Sequence, residues 1–109
     1  MKAYKGFVEV QGEKLKTPYI IDIIGNTACL EQLAEECTEL AQASLKMASL
    51  IRKENPTPVT YNEAMASLTE EIADVRLCIK AIERDTPIKT KEIEDMKLKR
   101  WHNRITKTR

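Results

Sequence analysis

The chain has 109 residues, 42% of them apolar and 32% charged, with a formal net charge of +1. This length suits one domain, and the near-neutral balance excludes a global field that would draw the chain to a nucleic-acid polymer or an acidic surface. No apolar run approaches the roughly 20 residues of a membrane span, and the N-terminus lacks the pattern of a signal peptide, so a cytoplasmic protein with no membrane partner is expected.

Residues 1–19 alternate irregularly through Tyr4, Phe7, Val8 and Val10 to Gln11-Gly12, which suits a short hairpin or an ordered arm. The rest, residues 20–109, reads as one helical domain. The apolar run Tyr19–Ile24 fits one or two helical turns ending at Gly25. Asn26 or Thr27 is a good helix start, and no Gly or Pro intervenes before Lys53. Leu30, Leu33, Cys37, Leu40, Ser44, Met47 and Ile51 recur at spacings of three and four, one small-to-apolar stripe on a long helix. Asn55-Pro56-Thr57-Pro58 ends it.

Thr60 and Glu63 fit a capping box for a second helix reaching about Arg84, with Leu68, Ile72, Val75, Ile79 and Ile82 as its stripe. Asp85-Thr86-Pro87 breaks the pattern. A last helix from about Thr90 carries Met96, Leu98, Trp101 and Ile105. Short connections predict an all-α antiparallel bundle. A chain this small has limited capacity to bury apolar surface alone, so completion as a homodimer or homotetramer is expected, mostly through helices 26–54 and 60–84. Cys29, Cys37 and Cys78 are odd in number and sit inside helical patterns, which suits buried reduced thiols. The lone histidine, His102, suits a surface or capping role.

Charge is unevenly placed. Beyond Asp95 the chain has six basic residues and no acid. Two acidic segments in the middle look alike: Glu35-Glu36-Cys37-Thr38-Glu39-Leu40 and Glu70-Glu71-Ile72-Ala73-Asp74-Val75. Glu36 and Glu39 are three apart and share a helix face, as do Glu71 and Asp74. Each pair precedes its apolar stripe by one position, about 100° around the axis, so the acids are expected to flank the core. Packed antiparallel, the two helices would bring four carboxylates together, where each resists ionisation until a cation arrives. An all-oxygen donor set selects Mg²⁺, with Mn²⁺ as the alternative, over zinc or iron. Acid pairs on solvated faces are common, so the competing reading is a structural helical protein.

The order Glu35-Glu36-x-x-Glu39 followed by Glu71-x-x-Asp74 resembles the signature of MazG-like proteins, of the all-α NTP pyrophosphatase superfamily. Gly25 and Gln32 ahead of the first motif, Glu39-Leu40-Ala41-Gln42-Ala43 with Lys46 after it, and Lys97-Leu98-x-Arg100 with Arg104-Ile105 at the end extend the resemblance over residues 20–106. The interval from Glu39 to Glu71 is longer than the family pattern, and residues 1–19 fall outside it.

The resemblance implies cleavage of a ribo- or deoxyribonucleoside triphosphate between its α and β phosphates, with Glu36, Glu39, Glu71 and Asp74 as metal ligands. Glu35 then orients a ligand or the attacking water, or is simply solvated. Lys46 is placed to meet a phosphate and Gln32 the base or ribose. Lys97, Arg100 and Arg104, at spacings of three and four, suit a phosphate clamp. Trp101 either stacks on a base or packs at a helix contact. The alternative to catalysis is a nucleotide-binding regulatory module of the same fold.

Overall fold

The computed structural model describes residues 7–10, 13–53, 58–84 and 87–107. The turn read at Gln11-Gly12, the stop at Asn55–Thr57 and the breaker at Asp85-Thr86 lie outside them. Strands β1 (Phe7–Val10) and β2 (Glu13–Lys16) form an antiparallel hairpin whose register pairs Phe7 with Lys16 and Val10 with Glu13. An all-helical body follows: α1 (Thr17–Arg52), α2 (Tyr61–Ile82) and α3 (Lys91–Lys107). Among the described residues no helix is long and apolar enough to cross a membrane.

Helix α1 is two helices joined at a break. Gly25 has φ 86° and ψ 165°, outside helical space. This backbone is nearly reserved for glycine, which has no Cβ to clash with it. The break folds the preceding turns back over the end of α2, where Ile21 packs with Cys29 and Ala81. An ion pair between Asp22 and Arg84 ties the same two segments. The long helix ends at Lys53, which takes the left-handed conformation (φ 59°) and donates its backbone N–H to the Leu50 carbonyl.

Helix α2 starts as its sequence predicts. The Thr60 hydroxyl accepts from the Glu63 backbone N–H at 3.1 Å, and the Glu63 carboxylate accepts from the Thr60 N–H at 2.9 Å. These bonds hold the Glu63 carboxyl below the usual carboxylate range. Glu63 therefore stabilises the folded chain above that range and loses its contribution as pH falls through its lowered folded pKa. Replacing Thr60 with Ala removes one half of the box and is expected to cost about 1 kcal/mol. Thermal unfolding followed by circular dichroism measures that loss.

Helices α1 and α2 pack antiparallel, and the core lies between them. The packed row of α1 is Cys29, Leu33, Glu36, Leu40, Ala43, Met47 and Leu50, all buried or half-buried. This corrects the predicted stripe. Leu33, Leu40 and Met47 belong to the packed row, whereas Leu30, Cys37, Ser44 and Ile51 are exposed on the neighbouring row. The predicted stripe straddled two adjacent rows because the true one admits a glutamate and an alanine. On α2 the fully buried positions are Ala64 and Ala81, with Leu68, Ile72, Val75 and Ile82 half-buried and Ile79 exposed. Small residues at both ends let the helices approach closely. The cysteines are all free, but only Cys29 is buried; Cys78 is half-buried and Cys37 exposed.

A larger correction concerns α3. Every described residue of this helix is exposed, including Ile93, Met96, Leu98, Trp101 and Ile105. Within one chain the bundle is therefore a two-helix hairpin with a third helix packed along neither. The Cα radius of gyration is 17.7 Å, against about 13 Å for a compact globule of this length. His102 is exposed on α3, as expected, and its backbone carbonyl accepts from the Thr106 hydroxyl.

Candidate functional site

The packing of α1 on α2 sets the two acidic motifs opposite each other. Glu36 lies in the packed row of α1, one turn from Leu33 and Leu40. Glu71 and Asp74 face it from α2, and all three residues are half-buried. One carboxylate oxygen from each lies within 4.8 Å of the others. The acids therefore interrupt the core, where the sequence pattern had placed them at its flank.

Glu36 has the most constrained carboxylate. Gln32, one turn earlier on the same face, donates from Nε2 to Glu36 Oε1 at 2.8 Å. Glu36 Oε2 is buried and, among the described residues, has no hydrogen-bond partner. Burying a charged acceptor unpaired is costly, and so is holding three carboxylates this close. Both costs are relieved by a divalent cation, and three oxygen donors with no nitrogen or sulfur among them match the preference of Mg²⁺ or Mn²⁺.

Electrostatics tell the same story. The Glu71 carboxyl is pushed above its ordinary range by partial burial, with the Asp74 and Glu36 charges adding to it. Glu39 is raised chiefly through a hydrogen bond with Glu36 and the Glu36 charge, with Glu71 and Glu35 adding. The Cys78 thiol, one turn beyond Asp74, is also raised, first by burial and then by the Glu36 and Asp74 charges. Each group resists adding negative charge to a place that already holds it.

Two hollows flank the cluster. A cleft of about 330 Å³ opens on the side nearer the α1–α2 connection and is lined by Glu39, Lys46, Ser67, Glu70 and Glu71, with Ala43 and Ala64 as its floor. An apolar pocket of about 200 Å³ lies on the other side, bounded by Ile20, Ile24, Cys29, Gln32, Leu77 and Cys78. Gln32 links this pocket to the cluster, since it lines the pocket and also donates to Glu36.

The residues singled out from sequence thus divide. Glu36, Glu71 and Asp74 are brought together. Glu39 is exposed beside them and outside the triad, while Glu35 is exposed and acts on Glu39 only through its charge. Gln32 and Lys46 reach the two hollows. Lys97, Arg100 and Arg104 lie on α3, which does not pack on the α1–α2 pair, so the predicted phosphate clamp is not assembled within one chain. The apolar pocket went unread in the sequence. Its wall depends on the break at Gly25, which carries Ile20 and Ile24 across to α2.

The chain matches no protein-family model, no curated protein and no solved structure.

Proposed function

We propose that this protein is a Mg²⁺-dependent nucleoside triphosphate pyrophosphohydrolase of the MazG-like kind, acting on an NTP or dNTP to give a monophosphate and pyrophosphate. One observation carries the reading: the buried, unpartnered Glu36 Oε2 in a cluster with Glu71 and Asp74 on facing helices. A divalent cation held there would polarise a phosphoryl group and neutralise charge developing on the leaving pyrophosphate. Glu36, Glu71 and Asp74 are its protein ligands, with Glu36 kept in place by Gln32.

Lys46 supplies positive charge to the cleft beside the cluster and suits the outer phosphates. Glu39 lines the same cleft. It serves there as a fourth oxygen donor or as the acceptor of the attacking water's proton. The apolar pocket on the far side, with Gln32 on its rim, suits the base. Water is the nucleophile in this scheme, so no serine or cysteine takes part.

A screen of the common NTPs and dNTPs with Mg²⁺, reading pyrophosphate and nucleoside products, tests the assignment. Monophosphate and pyrophosphate are expected in the first turnover; diphosphate with orthophosphate would place the cut elsewhere and remove most of the force of the MazG-like reading. Lys46→Ala is expected to lower kcat/KM about tenfold to a hundredfold, the worth of one charge-assisted contact. Mg²⁺ affinity, followed by calorimetry, should stay unchanged, because Lys46 is assigned to phosphate and not to the cation. The separation of α3 from the hairpin favours one rival, a nucleotide-binding module with little turnover; nucleotide binding without any product in the screen would select it.

A further inference from the structure

Two of the three cysteines share one pocket, and the reading above gives neither a task. Cys29 belongs to α1 and Cys78 to α2, and both line the apolar pocket. Cys29 is 3% exposed and packs with Ala81, which lies one turn beyond Cys78 on α2. Its side chain therefore crosses the interface to the α2 face that carries Cys78. An alanine at such a contact lets helices approach toward the lower end of the roughly 8 to 10 Å packing range. Thiols facing each other across that spacing lie within reach of a disulfide. The open volume between the pocket walls leaves both side chains room to turn.

Electrostatics agree with this placement. The Cys78 thiol is raised first by burial, then by the Glu36 and Asp74 charges, and further by Cys29 and Cys37. The two neighbours differ in position. Cys37 is exposed on the adjoining row of α1 and does not line the pocket. Cys29 is buried and faces into it. Cys78 is half-buried, so a small molecule reaches its sulfur from the surface, whereas Cys29 is reached only through the pocket.

We propose that Cys29 and Cys78 form an oxidation site, at which a hydroperoxide joins them in a disulfide that staples α1 to α2 across the apolar pocket. Cys78 meets the oxidant. Its sulfur attacks one peroxide oxygen and the O–O bond breaks. The departing hydroxide leaves as water with the Cys78 proton, and Cys78 becomes a sulfenic acid. The Cys29 sulfur then attacks the Cys78 sulfur and the S–O bond breaks. Hydroxide again leaves as water, now with the Cys29 proton. Two thiols are oxidised and one hydrogen peroxide is reduced to two waters. The thiolate is the nucleophile, so burial and the nearby carboxylates slow the first step. The pair therefore answers sustained exposure and not a brief pulse. Once formed, the bond closes a loop that contains the whole α1–α2 connection and fixes the two pocket walls together.

The test uses the full chain carrying Cys37→Ser, which removes the exposed thiol able to link copies. It is treated with hydrogen peroxide, then with iodoacetamide, and weighed intact. A monomer lighter by two hydrogens and closed to alkylation is expected. Trypsin should release peptides 17–46 and 77–80 joined, and dithiothreitol should part them. The parent chain, cleaved also after the glutamates between Cys29 and Cys37, should show the same link. Closing the loop should raise the melting temperature by about 10 °C or more. The rise should vanish on reduction and be absent when Cys78→Ser is added. Thiols that stay open to alkylation in a folded chain overturn the proposal. So does Cys78 oxidised to a sulfinic acid without a bond to Cys29, or a link that joins two chains. A linked chain that melts no higher than the reduced one refutes the staple. No step here uses a metal or a nucleotide, so this inference and the catalytic reading fail separately.

Discussion

Glu36→Gln is expected to abolish Mg²⁺-dependent turnover while leaving the helical content unchanged. The substitution keeps the side chain's shape and its place in the packed row of α1, but it exchanges the orphaned acceptor Oε2 for a neutral group. One ligand charge of the triad is lost. Disturbing the support of a metal ligand already costs about 10- to 100-fold in affinity or activity, so losing a ligand should cost at least that.

The metal-free protein should respond in the opposite sense. Glu39 and Glu71 are both raised, in part by the charge of Glu36. A carboxyl raised in the folded state binds its proton more tightly there than in the unfolded chain. Folding is then favoured at low pH, and stability falls as pH rises from the ordinary carboxylate range through the raised folded pKa. Glu36→Gln removes a cause of both shifts. The metal-free variant should melt higher than the metal-free parent at neutral pH and depend less on pH across that window. Mg²⁺ should raise the melting temperature of the parent by mass action and leave the variant nearly unmoved. Asp74→Asn should behave alike. Near-normal turnover in both variants would sink the metal-site assignment.

How much of this was legible in the sequence depended on what each element rests on. The capping box at Thr60 and Glu63 is a local arrangement of neighbouring groups, so residue type and spacing located it. The facing acidic motifs were legible because two helices joined by a short connection pack antiparallel, and the matched pattern then falls into register. Their depth was not legible. A hydrophobic-periodicity reading excludes a glutamate from the core row, so it turned α1 by part of one residue's rotation and left Glu36 at the flank. The row Cys29, Leu33, Glu36, Leu40, Ala43, Met47 and Leu50 is regular only once the glutamate and the alanine are admitted. An interruption of this kind at a candidate site is where pattern and structure are expected to part.

Helix α3 was located from its sequence but read as a member of the bundle, whereas it packs along neither of the other helices. Periodicity says which residues share a face and nothing about what covers that face. The apolar pocket was invisible for another reason. It joins Ile20 and Ile24 to Leu77 and Cys78, residues far apart in sequence, through a change of direction that one glycine permits.

That glycine should be sensitive to a single methyl group. Gly25→Ala is expected to lower the melting temperature by about 5 to 15 °C, given about 4 to 8 °C per kcal/mol for a domain of this size. A Cβ built on Gly25 meets nothing within 4 Å, so the cost is not a clash with a neighbour. It lies in the backbone, since φ 86° with ψ 165° is a region that side-chain-bearing residues enter only at about 1 to 3 kcal/mol. The chain can escape that strain by letting α1 run straight, because alanine favours helix. It then forfeits the contact of Ile21 with Cys29 and Ala81, a burial worth about 1.5 to 3 kcal/mol, and the Asp22–Arg84 ion pair. Both routes destabilise, and they differ in what else changes. Straightening adds helical signal in the far ultraviolet and dismantles the wall of Ile20 and Ile24, so an apolar dye held in that pocket is released. Strain without straightening lowers the melting temperature and leaves both signals in place. An unchanged melting temperature would show that something other than Gly25 sets the break, and the pocket would then have to be explained from the Arg84 contact alone.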